Sequence, residues 1–273
     1  DSNTLFPHRG YRDDKGRIFS SVTHILKETA PQEQKDALER WLNRPSSSNE
    51  RDIAAKRGTL AHDHQEYVLK TASKLARQSA NNKGVWRTGA DGLERCPSKI
   101  TEWAIQKALK SAPRVAWSAS GYSRGLRTFL TSGAITAIHA IEFSIHATPK
   151  AAFHGKGKEI EGWGGTCDCF IDYKNPKTGE TVQNVLVDWK TAASQRSEDM
   201  YRQFFDQLGA YSIGLTQRTG ITANGGIICC ARRSGEPTIK YLDRLELIAA
   251  EERFIDRFNC YKAQLELNVG MNP

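Results

Sequence analysis

Apolar positions recur at two different spacings along this chain, and the change falls near residue 137. Before it the spacing is helical. Ser20 or Ser21 can cap a helix through SVTHILKETA, and after Pro31 a second helix, QEQKDALERWLNR, ends before Pro45-Ser46-Ser47-Ser48. From Arg57 to about Gln78, Leu60, Tyr67, Leu69, Leu75 and Ala76 fit a long, moderately amphipathic helix. Residues 80–98, rich in Gly, Asn and charge, read as a mobile loop, and SKITEWAIQKALKSA and SRGLRTFLTSG as two further helices. Ahead of all these, residues 5–20 read as a short hairpin turning at Asp13-Asp14-Lys15-Gly16.

From Ala137 the pattern alternates. Residues 138–145 (IHAIEFSI) form a strand, followed by a loop with Lys156 and Lys158 and a strand at GGTCDCFIDY. A turn at Asn175-Pro176-Lys177-Thr178-Gly179 leads to a strand at VQNVLVDWKTA. A helix over about 198–216 turns Tyr201, Phe204, Phe205, Leu208, Tyr211 and Leu215 inward. Strands GGIICCAR and TIKYLDR precede a final helix from Leu245 to about Leu265, and no internal repeat occurs. This order implies one α/β domain over residues 1–273, a central mixed β-sheet flanked by helices. Residues 70–137 read as a basic helical subdomain inserted as a cap.

Composition narrows the class. With 38% hydrophobic and 26% charged residues the chain reads as globular, and no apolar run approaches the roughly 20 residues needed to span a bilayer. The first residues lack the apolar core of a secretory signal, so the expected location is intracellular: the cytoplasm of a bacterium or phage-infected host, or a mitochondrion if a targeting segment has been trimmed. The six cysteines contain no CxxC pair. Cys229-Cys230 suit a buried strand, while Cys167 and Cys169, two apart, are expected on one side of a strand, where core packing outweighs a metal pair. The formal charge is +8, and residues 70–130 hold twelve Lys/Arg against three acids, a net +9. A basic segment on a near-neutral body is the footprint of nucleic-acid binding, the plain alternative being a solvated helical face. Trp86, Trp103, Trp117 and Tyr122 lie within this region and suit either base stacking or core packing.

Asp188-Trp189-Lys190 carries the chemistry. On a strand, residues two apart share a face, so carboxylate and ammonium project together while Trp189 packs behind. Asp168 lies on the preceding strand, after Gly164-Gly165, and antiparallel pairing can bring it beside Asp188. Two adjacent carboxylates repel unless a divalent cation joins them, and oxygen ligands suit Mg²⁺ or Mn²⁺. Lys190 would then hold and polarise a water for attack on a phosphodiester. A lone DxK is weak, because surface strands often carry Asp and Lys. Glu142 on an earlier strand, His62 at the opening of a helix after Arg57-Gly58-Thr59, and Gln207 with Tyr211 at i, i+4 on the following helix strengthen it. His62-Asp63 alone would suggest an HD phosphohydrolase, a reading that leaves the strand-borne DxK unused. His139, His146 and His154 are set aside as bystanders.

GGTCD, VDWKT and QLGAY, in this order behind an upstream His, resemble the motifs of RecB-like PD-(D/E)xK nucleases. SVTHIL, LERWLNR, His62 with Glu66, and VLVDWKTA further resemble the mitochondrial genome maintenance exonuclease family and phage-type relatives, over residues 20–70 and 138–235. The resemblance implies a restriction-endonuclease-like core and a Mg²⁺-dependent exonuclease (Mn²⁺ substituting) on single-stranded DNA or DNA ends, and the expected state is a monomer without membrane attachment. It implies catalytic roles for Asp168, Asp188, Lys190, Glu142 and His62. The metal set is His62, Asp168, Asp188, Glu142 and the Trp189 position. Gln207, Tyr211, Ser21, Thr23 and Arg57 are implied to contact substrate, and the charge pattern adds Lys107, Lys110, Arg114, Arg124 and Arg127. Some RecB relatives carry an iron–sulfur cluster, but Cys96, Cys229, Cys230 and Cys260 lack its spacing, so none is expected. The alternatives are a restriction-type endonuclease and a non-catalytic DNA-binding or recombination-accessory protein on the same fold.

Overall fold

The computed structural model describes residues 11–12, 16, 18–149, 153–155, 158–160, 162–176 and 178–270. Among them the helices are α1 (Val22–Glu28), α2 (Gln32–Leu42), α3 (Ser47–Lys83), α4 (Ser98–Ser111), α5 (Ser120–Thr131), α6 (Glu198–Thr219) and α7 (Arg244–Gly270). The strands are β1 (Tyr11–Arg12), β2 (Ile18–Ser21), β3 (Arg87–Thr88), β4 (Glu94–Arg95), β5 (Ile135–Ala147), β6 (Phe153–Gly155), β7 (Lys158–Ile160), β8 (Gly162–Lys174), β9 (Thr181–Ala192), β10 (Gly225–Arg232) and β11 (Pro237–Leu242).

The central sheet runs β1-β2-β8-β9-β10-β11, with β5 on β8 as well. β2 is parallel to β8 and β10 to β9, while the other pairings are antiparallel, so the sheet is mixed. Alternation along the strands feeds two cores. Phe170, Leu186, Ile228 and Cys230 pack towards α1, α6 and α7. Ile171, Val187, Ile227 and Cys229 pack towards α3, α4 and α5. The chain is therefore an α/β sandwich with helices on both sides of a mixed sheet.

Several expectations change. The stretch 70–137, expected as an inserted cap, supplies one face of the core: Ala72, Ile105, Leu126 and Phe129 share a cluster with the sheet. Its charges decorate the outer side of that layer. Helix α3 begins at Ser47, ten residues before the expected Arg57. Its first turns are exposed and so carry no apolar stripe, and Ala54, Ala55 and flanking charged residues suffice for helix. Residues 80–98 are not a free loop. The β3–β4 hairpin is held by Arg95, whose guanidinium bonds Asp91, Asp172 and Asn184. His139, on the same Asp172 at 2.8 Å, belongs to this buried network. Cys167 and Cys169 do not share a side: they enter opposite cores. The segment around Lys158 forms the β6–β7 hairpin, while Lys156, Lys177 and the turn residues 13–15 lie outside the described residues.

Candidate active site

A fork in the sheet makes room for the site. On one edge of β8, β2 pairs with Gly162–Gly164 and β9 pairs only from Cys169 onward, against Val187. Between them, residues 165–168 leave that edge open, and the last part of β9, Asp188–Ala192, pairs with β10 alone. Asp168 bridges the opening: its Oδ2 accepts the Trp189 backbone N–H at 2.6 Å, replacing a ladder bond. Ser21, paired with Gly164, and Thr23 stand at the same fork, their hydroxyls 2.8 Å apart.

Asp188 is 2% exposed, and Trp189 is buried on the opposite face against Phe129. Gln207 on α6 ties the cluster together. Its amide N–H groups donate to Asp188 Oδ1 at 3.2 Å and to the Tyr211 hydroxyl at 2.7 Å, and its carbonyl accepts from Lys190 Nζ at 3.0 Å. Lys190 also ion-pairs with Asp188 Oδ2, but that buried oxygen accepts no well-aligned hydrogen bond. The ring of Phe204 lies 5.2 Å beneath the same ammonium. Sequence reading counted Phe204 only as core, although its position one turn before Gln207 places both on one face.

Electrostatics follow from burial. Desolvation, reinforced by Asp188, pushes the Asp168 carboxyl well above the usual carboxylate range. Desolvation opposes the Lys190 charge, yet Asp188 and Asp168 outweigh it and raise its pKa, so it is an ammonium in this state. His62, midway along α3, is lowered by burial, partly offset by Asp188, which favours a neutral imidazole near neutral pH. Glu142 sits opposite Asp168, since Ile141 pairs with Cys169 and Phe143 with Cys167. Burial, with Glu66 adding to it, lifts its carboxyl to about 6. Its backbone has φ +49°, a left-handed strain within a strand that turns this residue out of the regular pleat.

Asp168, Asp188, Lys190, Gln207 and Tyr211 are thus brought together, with His62 and Glu142 within electrostatic reach of Asp188. Arg57 is one residue from Gly58, whose Cα approaches Thr191, and the buried Arg57 Nε has no hydrogen-bond partner. Lys107, Lys110, Arg114, Arg124 and Arg127 are exposed on the outer helical layer, where Lys107 rests over Trp103 and Arg124 bonds Ser234 O. Trp117 is 92% exposed, Tyr122 is core, and Trp86 donates to Asn81 Oδ1.

As the side chains stand, no group of three or more His, Cys, Asp or Glu among the described residues is disposed to hold a metal ion. The donor chemistry nevertheless fits one: Asp188 is buried and disfavours ionisation of the neighbouring, half-buried Asp168, and Asp188 Oδ2 lacks an aligned donor. Among the described residues no helix is long and apolar enough to cross a membrane.

No protein-family model matches this chain, and no curated protein matches it. Solved structures similar to it include a crystal structure of a "Putative exonuclease" from Eubacterium rectale, at 14% identity and TM-score 0.37, covering 88% of this chain and 81% of that one. A superposition that loose carries no argument about the reaction.

Proposed function

We propose that this protein is a metal-dependent nuclease of the PD-(D/E)xK kind, hydrolysing DNA from free single-stranded ends during replication, repair or recombination. The observation that carries the reading is the cluster at the fork: Asp168 and Asp188 side by side, with Lys190 and Gln207 joined to Asp188. A structural ion pair would need neither a second carboxylate nor a glutamine engaging both partners.

Asp168 and Asp188 would hold Mg²⁺ or Mn²⁺, with His62 and Glu142 turning in to complete the set. The bound cation would supply Lewis acidity towards a phosphate oxygen and lower the pKa of a coordinated water. In the metal-free site Asp188 and Asp168 keep Lys190 an ammonium, and beside a bound cation it would hold and polarise the attacking water or the developing charge on phosphate. Gln207 fixes the ammonium's direction, and Tyr211 fixes Gln207. Ser21, Thr23 and Arg57 line the approach as phosphate contacts, a role in which the unpartnered Arg57 Nε would gain an acceptor.

Digestion of 5′- and 3′-labelled linear single strands, with and without Mg²⁺, tests this directly. Metal-dependent release of short products from an end is expected. Cleavage of a circular single strand at a comparable rate would replace the exonuclease with an endonuclease. Binding without cleavage in any divalent metal would reject the enzyme.

A further inference from the structure

Helix α2 raises a question that the catalytic cluster leaves open. It is amphipathic, with Ala37, Leu38, Trp41 and Leu42 along one side, yet none of its residues is buried. Leu38 and Leu42 remain about two-fifths exposed. Beneath that side, between α2 and the first turns of α6, lies a cavity of about 790 Å³. Its walls include Leu26, Leu38, Leu42, Met200 and Phe204, and it runs to Gln207. Phe204 and Gln207 are also the residues that touch Lys190, so the cavity opens onto the catalytic cluster itself.

We propose that this groove is the binding site for the terminal nucleosides of the strand, on one side of the scissile phosphate. The inference rests on the nuclease reading for its occupant, and on the groove's own chemistry for its place. The walls offer apolar surface and one aromatic ring, which suit the face of a base. Across the groove, the Gln203 amide donates to the Gln34 carbonyl, linking α6 to α2. A base edge carries the same donors and acceptors and can take the place of either amide. Lys27, Lys35 and Arg196 among the lining residues suit the phosphates locally, while Glu28, Glu39 and Asp199 leave the lining near neutral as a whole. An apolar face, an amide-like edge and an anionic tail together describe a nucleotide. The volume falls within the range of pockets that enclose small ligands, room for about one or two nucleosides. A groove holding the end of the strand would also set product length.

Photocrosslinking tests the assignment without relying on cleavage. Single strands carrying 5-iodouracil at successive positions from each end are bound to the protein with Ca²⁺ in place of Mg²⁺, irradiated, and the attachment sites mapped by mass spectrometry. Crosslinks to Met200 or Phe204, which line the groove, are expected from the terminal positions of one end. Leu38→Glu and Leu42→Glu, at partly exposed positions compatible with folding, should reduce those crosslinks. They should raise KM on single strands about tenfold while kcat stays within about twofold, the scale of one lost base-stacking contact. Crosslinks only outside the groove, for example at Trp117, would overturn the proposal, as would unchanged KM and crosslinking in both folded variants. Concentration-dependent dimerisation that either variant abolishes, with crosslinking unaffected, would assign the groove to a second copy instead and overturn it too. A protein that crosslinks through the groove yet cleaves nothing retains the site and loses only the nuclease reading.

Discussion

The ring of Tyr211 lies against the Cα of Gly165, so closely that a Cβ there would stand 2.6 Å from Cε1 and 3.0 Å from the hydroxyl. Gly165 thus admits the residue that holds Gln207, and through it Asp188 and Lys190. Gly165→Ala is expected to displace the ring, cost roughly 1–3 kcal/mol of stability, and lower turnover. Adding Tyr211→Leu should restore the melting temperature without restoring turnover. Thermal melts and single-turnover rates of both variants check this, and an unperturbed Gly165→Ala enzyme would dissolve the link.

Lys190→Ala is expected to reduce cleavage by about 10²–10⁴-fold, the usual range for a positioned proton donor, while strand affinity changes little. On the proposed nuclease reading, affinity would come mainly from phosphate contacts elsewhere. Fluorescence anisotropy beside a cleavage assay separates the two. Turnover within tenfold of the parent would remove Lys190 from the chemistry.

Asp168→Asn trades function for stability. The metal-free fold carries this carboxyl half-buried beside Asp188, with its pKa pushed well up, so neutralising it should raise the melting temperature. For a chain somewhat larger than 150–250 residues, each kcal/mol gained corresponds to no more than about 2–4 °C. Calorimetry should show Mn²⁺ binding lost in Asp168→Asn and in Asp188→Asn. Intact Mn²⁺ binding in both would place the metal elsewhere.

Glu142 gives the metal-free protein a particular pH dependence. Its folded pKa of about 6 lies above the ordinary carboxylate value, so the unfolded state releases this proton first as pH rises. On its account stability falls between the ordinary value and about 6, then levels off. Asp91, held low chiefly by Arg95, and Asp172, held low against its own burial by His139 and then Arg95, shift the other way and lend stability that is lost as pH falls below the ordinary carboxylate value. Subtracting Glu142→Gln melts from parent melts in chelator, between pH 4 and 8, isolates the Glu142 contribution. A difference that does not grow across the interval up to pH 6 would refute the shift.

The strands and the DxK were legible because short apolar runs bounded by turn residues mark strands covered on both faces, and residues two apart on a strand share a face. Asp188 and Lys190 share a face while Trp189 takes the other, as spacing required. Three features were not legible. The fork at residues 165–168 depends on which strands pair, and nothing in GGTCD declares where β9 leaves β8. The first turns of α3 lack an apolar stripe because they touch little, so their helix rests on propensity alone. His139, set aside as a bystander, meets Asp172 and Arg95 across distant segments, and only the fold brings them together.

Salt dependence decides whether the basic layer meets the strand. Lys110, Arg114 and Arg127 are exposed on the helical face whose connecting loop reaches His64, where Pro113 supplies a backbone hydrogen bond. Ser123 bonds the same imidazole at 3.1 Å, which ties this layer to α3, the helix that also carries His62. Each phosphate contact on a single strand contributes about 0.7 to the slope of log K against log salt. Replacing Lys107, Lys110, Arg114, Arg124 and Arg127 by Gln is therefore expected to flatten the slope by up to about 3.5. Lys107 on Trp103 and Arg124 on Ser234 are already engaged and should account for the smaller part. Trp117, exposed on the same edge, should add affinity without adding slope, because stacking releases few counterions. Trp117→Ala would then lower affinity equally at low and high salt. An unchanged slope in the folded five-site variant would make this layer a solvated surface and move the phosphate contacts to the rim of the α2–α6 groove.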